Sequence, residues 1–188
     1  DNLLHFFQTG QTFNNTVYLT GSSDNSSYYI SVGDQRAEGI VLDDTYRRNT
    51  FRVNATKKLG KLELSATTSY FTDKTDVVGS TIGDQDRPLY WFILNTSANI
   101  PLEKYKDWQN PKSYGYADNY YNAYYQNPYW AIGTNRNIDE TNRLNGNINL
   151  SYDILDWLNF TARASVNNVW GNGKNWRAAQ TYNEELQP

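Results

Sequence analysis

Apolar and polar residues alternate along KLELSATTSYFTD (61–73). Leu62, Leu64, Ala66, Thr68 and Tyr70 fall on one side, and Glu63, Ser65, Thr67 and Ser69 fall on the other. A period of two is the repeat of a strand with one apolar and one polar face. Just upstream, Phe51, Val53 and Ala55 oppose Arg48, Thr50, Arg52, Asn54 and Thr56, and KKLGK (57–61), with its permissive Gly60, joins the two runs as a hairpin. The design recurs on either side. Val17, Leu19 and Gly21 alternate with Thr16, Tyr18 and Thr20; after the turn GSSDNS, Tyr28, Ile30 and Val32 alternate with Tyr29, Ser31 and Gly33. Towards the C-terminus, Leu144, Gly146, Ile148, Leu150 and Tyr152 oppose Arg143, Asn145, Asn147, Asn149 and Ser151. DILD turns the chain, and Leu158, Phe160, Ala162, Ala164 and Val166 then face away from Asn159, Thr161, Arg163, Ser165 and Asn167.

These patterns predict six strands, each roughly 8–14 residues long, in three hairpins. Residues 22–26, 57–61 and 153–156 are short connections, whereas 34–46 and 73–141 are long ones. Tight turns at one end and long loops at the other describe an all-β, antiparallel up-and-down arrangement forming part of a transmembrane β-barrel wall. A soluble β-sandwich has strands that alternate in the same way, so it stands as the alternative. Six strands leave two open edges, and the smallest membrane barrels need about 8 strands. A membrane reading therefore makes this chain one part of a wall. On that reading residues 1–72 hold the first four strands, 73–141 form a long extracellular loop with short helical pieces, 142–170 hold the next hairpin, and 171–188 begin a further loop.

Composition removes several classes of chemistry. The chain lacks cysteine and has a single histidine, His5, so thiolate sites and most histidine-based catalysis are not expected. With a net charge of −3 and both signs dispersed, it has no basic patch for nucleic acid. The longest apolar run, Leu89–Leu94, falls far short of the roughly 20 residues of a membrane-spanning helix, but barrel strands leave mean hydropathy low. The opening DNLLHFFQTG does not form a signal peptide, so a leader removed earlier or a longer preceding chain is expected.

Three closely spaced acid pairs, Asp43–Asp44, Asp84–Asp86 and Glu184–Glu185, lie in predicted loops; solvated loop positions describe them better than glycosidase carboxylates. GDQDRP (83–88) lacks the spacing of a calcium loop. The N-x-S/T triplets at Asn14, Asn25, Asn54, Asn95, Asn149 and Asn159 suit a chain rich in these residues and are discounted as glycan sites. No catalytic residue, cofactor or metal is expected. Arg48, Arg52, Arg143 and Arg163 recur on the polar strand faces, either to attract anionic or hydrogen-bonding groups in a lumen or to pair with acids of the wall or of a plug inside it and hold the barrel shape. Tyr70, Tyr152, Trp157 and Trp170 stand near strand ends, where amphipathic rings favour a membrane interface.

YGYADNYYNAYYQNPYW (114–130) falls in the long connection. A short helix ending near Pro128 would gather Tyr120, Tyr121, Tyr124 and Tyr125 on one side. These rings and Trp130 are the candidate contacts for substrate or partner, with packing inside the loop or against a lid as the main expectation.

Residues 6–41 resemble the start of the barrel in SusC/RagA-type TonB-dependent transporters, outer-membrane importers of the Bacteroidetes. The resemblance rests on Phe6 and Phe7, Thr9 and Gly10, Asn14 and Asn15, Gly21 to Ser23, Tyr28 with Ser31, and Gly39 with Ile40. It continues in the arginine-rich run 47–54, in NPYW (127–130), in Asn135 to Asn137 with Asp139, and in Arg143 with Gly146 and Asn147. No single motif is specific, but the ordered set spans nearly the whole chain. The resemblance implies a fragment of the early barrel wall, located in the bacterial outer membrane in contact with its lipid. Implied partners are a SusD-like lipoprotein at the extracellular face, TonB acting through a plug segment outside this chain, and an oligosaccharide or peptide as transported substrate.

Overall fold

The computed structural model describes residues 2–80, 87–121 and 126–178. A short helix α1 (Asn2–Phe6) precedes four strands, β1 (Gln11–Ser23), β2 (Ser26–Glu38), β3 (Thr45–Leu59) and β4 (Leu62–Val78). Helices α2 (Leu89–Leu94) and α3 (Pro128–Thr134) and two 3-10 turns, Leu102–Tyr105 and Ala117–Asn119, follow. The last elements are β5 (Asn135–Leu155) and β6 (Leu158–Arg177). The strands form one open antiparallel sheet in the order β1-β2-β3-β4-β5-β6, so every strand pairs with its sequence neighbours. The described residues include no second sheet, so they do not build the two layers of a sandwich.

The predicted strands are all present, and they run further than alternation indicated. β5 and β6 reach 21 and 20 residues. The connections shrink accordingly: 34–46 narrows to 39–44, and 73–141 narrows to 79–134. The stretches 73–78, 135–141 and 171–177 are strand because main-chain pairing continues where the side-chain alternation breaks, as in Val77↔Asn137 and Asn137↔Asn175. The hairpin turns are only two residues long, at 24–25, 60–61 and 156–157. Gly60 takes φ +60°, a conformation that glycine reaches without steric cost.

Register carries the two-faced pattern across the whole sheet. Val17 lies beside Val32, Val32 beside Phe51, Phe51 beside Tyr70, and Tyr70 beside Leu144. A second row runs Leu19, Ile30, Val53, Thr68, Gly146 and Val166. Gly21 belongs to this face because a Cβ there would strike the ring of Tyr28, which lies across it. Among the described residues, nevertheless, nothing packs on the apolar face: Val17 is 76% exposed and Ile148 58%.

The buried apolar side chains lie elsewhere. Phe6, Val41, Leu89, Phe92, Ile93, Leu102, Tyr105, Tyr129, Ala131 and Ile132 belong to the helices, the 3-10 turn and the 39–44 connection, and none to a strand. The core thus sits in a cap at the long-loop end of the sheet. Helix α1 reaches that cap from the start of the chain, where Phe6 packs on Tyr129 with ring centroids 4.8 Å apart. The following residue, Gln8, is tied to the 39–44 connection by its backbone N–H on the Ile40 carbonyl (2.9 Å) and its side chain on the Gly39 carbonyl (2.9 Å).

Candidate functional site

The polar face of the sheet holds all four arginines singled out in the sequence. Arg48 is answered by a wall acid: its guanidinium donates to Asp73, which also accepts from the Tyr46 hydroxyl at 2.8 Å. Arg52 rests its guanidinium 5.5 Å from the centre of the Phe71 ring. Phe71 is paired directly with Arg143 across the β4–β5 ladder, so Arg52 and Arg143 are both neighbours of this residue. Arg163 stands apart on β6 and donates to the Asn149 amide oxygen at 3.0 Å. Shape-holding therefore accounts for Arg48. Arg52, Arg143 and Arg163 have no salt-bridge partner among the described residues.

The opposite face is apolar through its middle and charged towards the cap. There Asp34 pairs with Arg36 (2.7 Å) and Arg47 (2.9 Å), and Lys74 pairs with Glu140 (2.7 Å). Aromatic rings edge the apolar band. Tyr70 and Trp170 pack at 6.1 Å on the cap side, and the Tyr70 hydroxyl donates to Asn142. Tyr152 and Phe160 are partners at the turn side, next to Trp157, which is 80% exposed in the β5–β6 turn.

The tyrosines of the long connection close on one another. Tyr105, 1% exposed, packs against Tyr114 (5.0 Å) and Tyr120 (4.9 Å), and Tyr120 meets Tyr121 edge-on at 4.9 Å. Self-packing within the loop is thus the observed arrangement for Tyr120 and Tyr121. Trp130 lies partly buried against the same core. Tyr124 and Tyr125 lie outside the described residues. The expected helix through the tyrosines ending near Pro128 is not formed where the structure describes it: Tyr120 is extended (ψ 136°), and α3 begins at Pro128. The physical reason is that proline's fixed φ and missing N–H suit the first turn of a helix, so it starts α3 rather than stopping one.

Asn127 is the residue that alternation and composition did not single out. It is 2% exposed, and its side-chain oxygen caps α3 by accepting from the Tyr129 N–H at 2.9 Å. Its amide nitrogen donates to the Tyr105 carbonyl (2.9 Å) and the Gly115 carbonyl (3.2 Å). One side chain thereby ties a helix to two loop strands that run past it. The signal was present in the order Asn-Pro, a capping residue followed by a favoured first helical residue. A Cβ on Gly115 would fall on the Lys104 carbonyl oxygen and the Tyr105 backbone. Gly115→Ala is therefore expected to cost about 1–3 kcal/mol by overpacking, read as faster amide exchange across 102–121.

A second tie joins cap to sheet. Arg136, whose side chain is only 10% exposed, donates through Nε to Asp76 (2.8 Å), through Nη1 to Asp44 (3.1 Å) and through Nη2 to the Asp43 carbonyl (2.7 Å). Asp44 also accepts the Val78 N–H at 2.7 Å. Burial nevertheless outweighs these partners and raises the Asp44 carboxyl above its ordinary pKa. Asp43 has φ 64°, which turns its carbonyl to Arg136. The Asp43–Asp44 pair is therefore structural. Asp84, Asp86, Glu184 and Glu185 fall outside the described residues.

Burial raises the Tyr105 and Tyr120 phenols, and it pushes Tyr129 up to about 12, so all three stay protonated near neutrality. Among the described residues no cluster of His, Asp or Glu has the grouping of a metal site. A cleft of about 150 Å³, lined by His5, Phe7, Gln8, Glu103, Lys106 and Tyr129 among others, opens where α1 meets the cap. No protein-family model matches this chain, and no curated protein does.

Proposed function

We propose that this chain is a wall segment of a TonB-dependent outer-membrane importer of oligosaccharides or peptides. Its apolar face meets lipid and its polar face lines the passage. One observation carries the reading: a broad sheet whose apolar face is left uncovered by the described residues, while their buried core is built separately in the cap. In water, such a face over six strands would be a liability far larger than an ordinary surface patch. In a bilayer it is the required surface. Leu144–Tyr152 matches the roughly 9–11 residues of a tilted membrane strand, and the aromatic rings at both borders sit where interfacial anchors belong. The ion pairs of Asp34, Arg36, Arg47, Lys74 and Glu140 then stand in water above the lipid.

On this reading β1 and β6 pair with further strands of the same wall, because unpaired backbone edges are not tolerated in hydrocarbon. The cap faces the outside, where a SusD-like lipoprotein docks, and TonB acts through a plug carried by another part of the protein. The chain breaks no bond in its substrate, so it is not an enzyme and uses no cofactor, and it has no role with nucleic acid.

The test is a pair of neighbouring substitutions in the full-length protein. Ile148→Arg on the apolar face is expected to cost about 2–4 kcal/mol if it meets mid-bilayer, reducing folded, protease-resistant protein in the outer membrane. Asn147→Arg, one residue away on the polar face, should leave that amount near wild type. Equal tolerance at both positions would mean water on both faces and would sink the proposal.

A further inference from the structure

We infer that Arg52, Phe71 and Arg143 form a carboxylate-binding subsite on the polar face, so that the molecule passing it is an acidic oligosaccharide bearing uronate groups. This rests on the reading of that face as the lining of the passage. The distribution of ion pairs is what marks the place. Arg36, Arg47, Arg48 and Arg136 each meet a carboxylate within the wall or the cap. Among the described residues Arg52 and Arg143 do not: Arg143 stands near Asp73, the acid that already serves Arg48 and Tyr46, and Arg52 stands across from Ser69, four residues earlier in β4. Arg48 and Arg143 thus draw on one carboxylate, Arg52 has none among the described residues, and the patch keeps an excess of positive charge.

The geometry keeps that charge available. Contact with the Phe71 ring uses none of the five N–H donors of Arg52. Arg143 is placed by the ladder directly across from Phe71, where paired Cβ atoms lie about 4.5–5.5 Å apart. Asp73 attracts Arg143 without a hydrogen bond between them. Two guanidiniums on neighbouring strands beside one aromatic residue, neither held by an ion pair among the described residues, offer the forked donors that a carboxylate accepts.

The surroundings decide the rest of the ligand. Towards the hairpin turns the same face continues through Ser69, Thr67, Asn145, Asn147 and Asn149, which both donate and accept hydrogen bonds. Such a strip suits a chain of hydroxyl groups. The described residues of that strip are polar, without the apolar side chains that would hold those of a peptide, and Phe71 supplies a ring beside which a sugar can lie. Carboxylate at one end and hydroxyls along the strip together describe a uronate-containing glycan.

The experiment measures binding to the full-length protein, purified from the outer membrane, of oligogalacturonate and oligoglucuronate and of their methyl esters. Wild type is expected to bind at least one free acid about tenfold more tightly than its ester, with the preference fading as salt rises. Arg52→Gln with Arg143→Gln should erase the preference, Arg52→Lys with Arg143→Lys should restore part of it, and Arg163→Gln should leave it intact. Equal binding of acid and ester, or no binding of either, by a correctly assembled wild type would overturn the inference while leaving the importer reading in place. Tighter binding of a glutamate tripeptide than of any uronate would overturn it as well. So would a loss of assembly in the double Gln variant that the double Lys variant repairs, with no acid–ester preference in wild type, since the arginines would then serve another part of the protein. Failure of the importer reading itself registers separately, as equal tolerance of Ile148→Arg and Asn147→Arg.

Discussion

Asn127→Asp is expected to open the loop cap, and to do so more severely than Asn127→Ala. The side-chain nitrogen sits 2.9 and 3.2 Å from two carbonyl oxygens, those of Tyr105 and Gly115. An aspartate would place a negative oxygen there, in a position 2% exposed to solvent. It would keep the cap on the Tyr129 N–H but would face both carbonyls with no donor. An unpaired buried charge costs several kcal/mol, whereas each hydrogen-bonding group left unsatisfied by alanine costs about 1–3 kcal/mol. The aspartate can relieve this only by taking up a proton, so its pKa must rise and the damage should deepen as pH increases. Amide exchange over 102–121 and 127–134, measured across pH in the full-length protein, checks both the order and the direction. An Asp variant milder than the Ala variant would show that the two carbonyls do not depend on this side chain.

Arg136→Met is the second large effect, expected to detach the 39–44 connection from the ends of β4 and β5. Removing one partner of a buried ion pair costs about 3–5 kcal/mol, because the remaining charge is left without compensation. Here the remaining charge is mainly Asp44, since the Asp76 side chain is 34% exposed and is screened by water. The Asp44 carboxyl already lies above its ordinary value through burial, even with Arg136 in place. A carboxyl raised in the folded state is best tolerated below its unfolded pKa, and that advantage is lost as pH rises through the folded value. Acid should therefore repair part of the Arg136→Met defect. Asp44→Asn in the same chain should repair more, because an amide keeps an acceptor for the Val78 N–H at no charge. Proteolytic cutting in 39–44 is the readout, and cutting that does not respond to pH or to the second substitution would refute this account.

The strands were legible because their side chains alternate, and alternation is a local property. Phe51, Val53 and Ala55 announce one face without reference to any neighbour. Strand ends were less legible. Val77 and Val78 follow directly on one another, and Asn137 carries no apolar signal, yet all three are in the ladder. Their strand conformation comes from main-chain bonds with residues some 60 positions away in the chain, which no local pattern encodes. The four arginines were correctly placed on one face for the same reason as the strands. Which of them would find an acid was a matter of register: Arg48 stands across from Asp73, whereas Arg52 stands across from Ser69.

The cap was the least legible part. Its tyrosines could be recognised as a cluster, and their packing on one another was among the expectations. Their helical spacing is not realised as a helix at Tyr120, which is extended, and Pro128 starts a helix rather than ending one; Tyr124 and Tyr125 lie outside the described residues. Asn127 and Arg136 hold the cap together, yet each is an ordinary polar residue in a chain full of them. What marks them is burial beside partners from distant segments, and burial is decided by the fold.

By itself, then, the sequence determined six two-faced strands, their hairpin pairing and the absence of thiol and most histidine chemistry, since each follows from residue type and a two-residue repeat. Only the tertiary structure decided that the described residues leave the apolar face uncovered while the core gathers in the cap, and which charges are answered. Those outcomes depend on which distant residues come within a few ångströms, and the short range of packing and hydrogen bonds makes that a property of the folded chain alone.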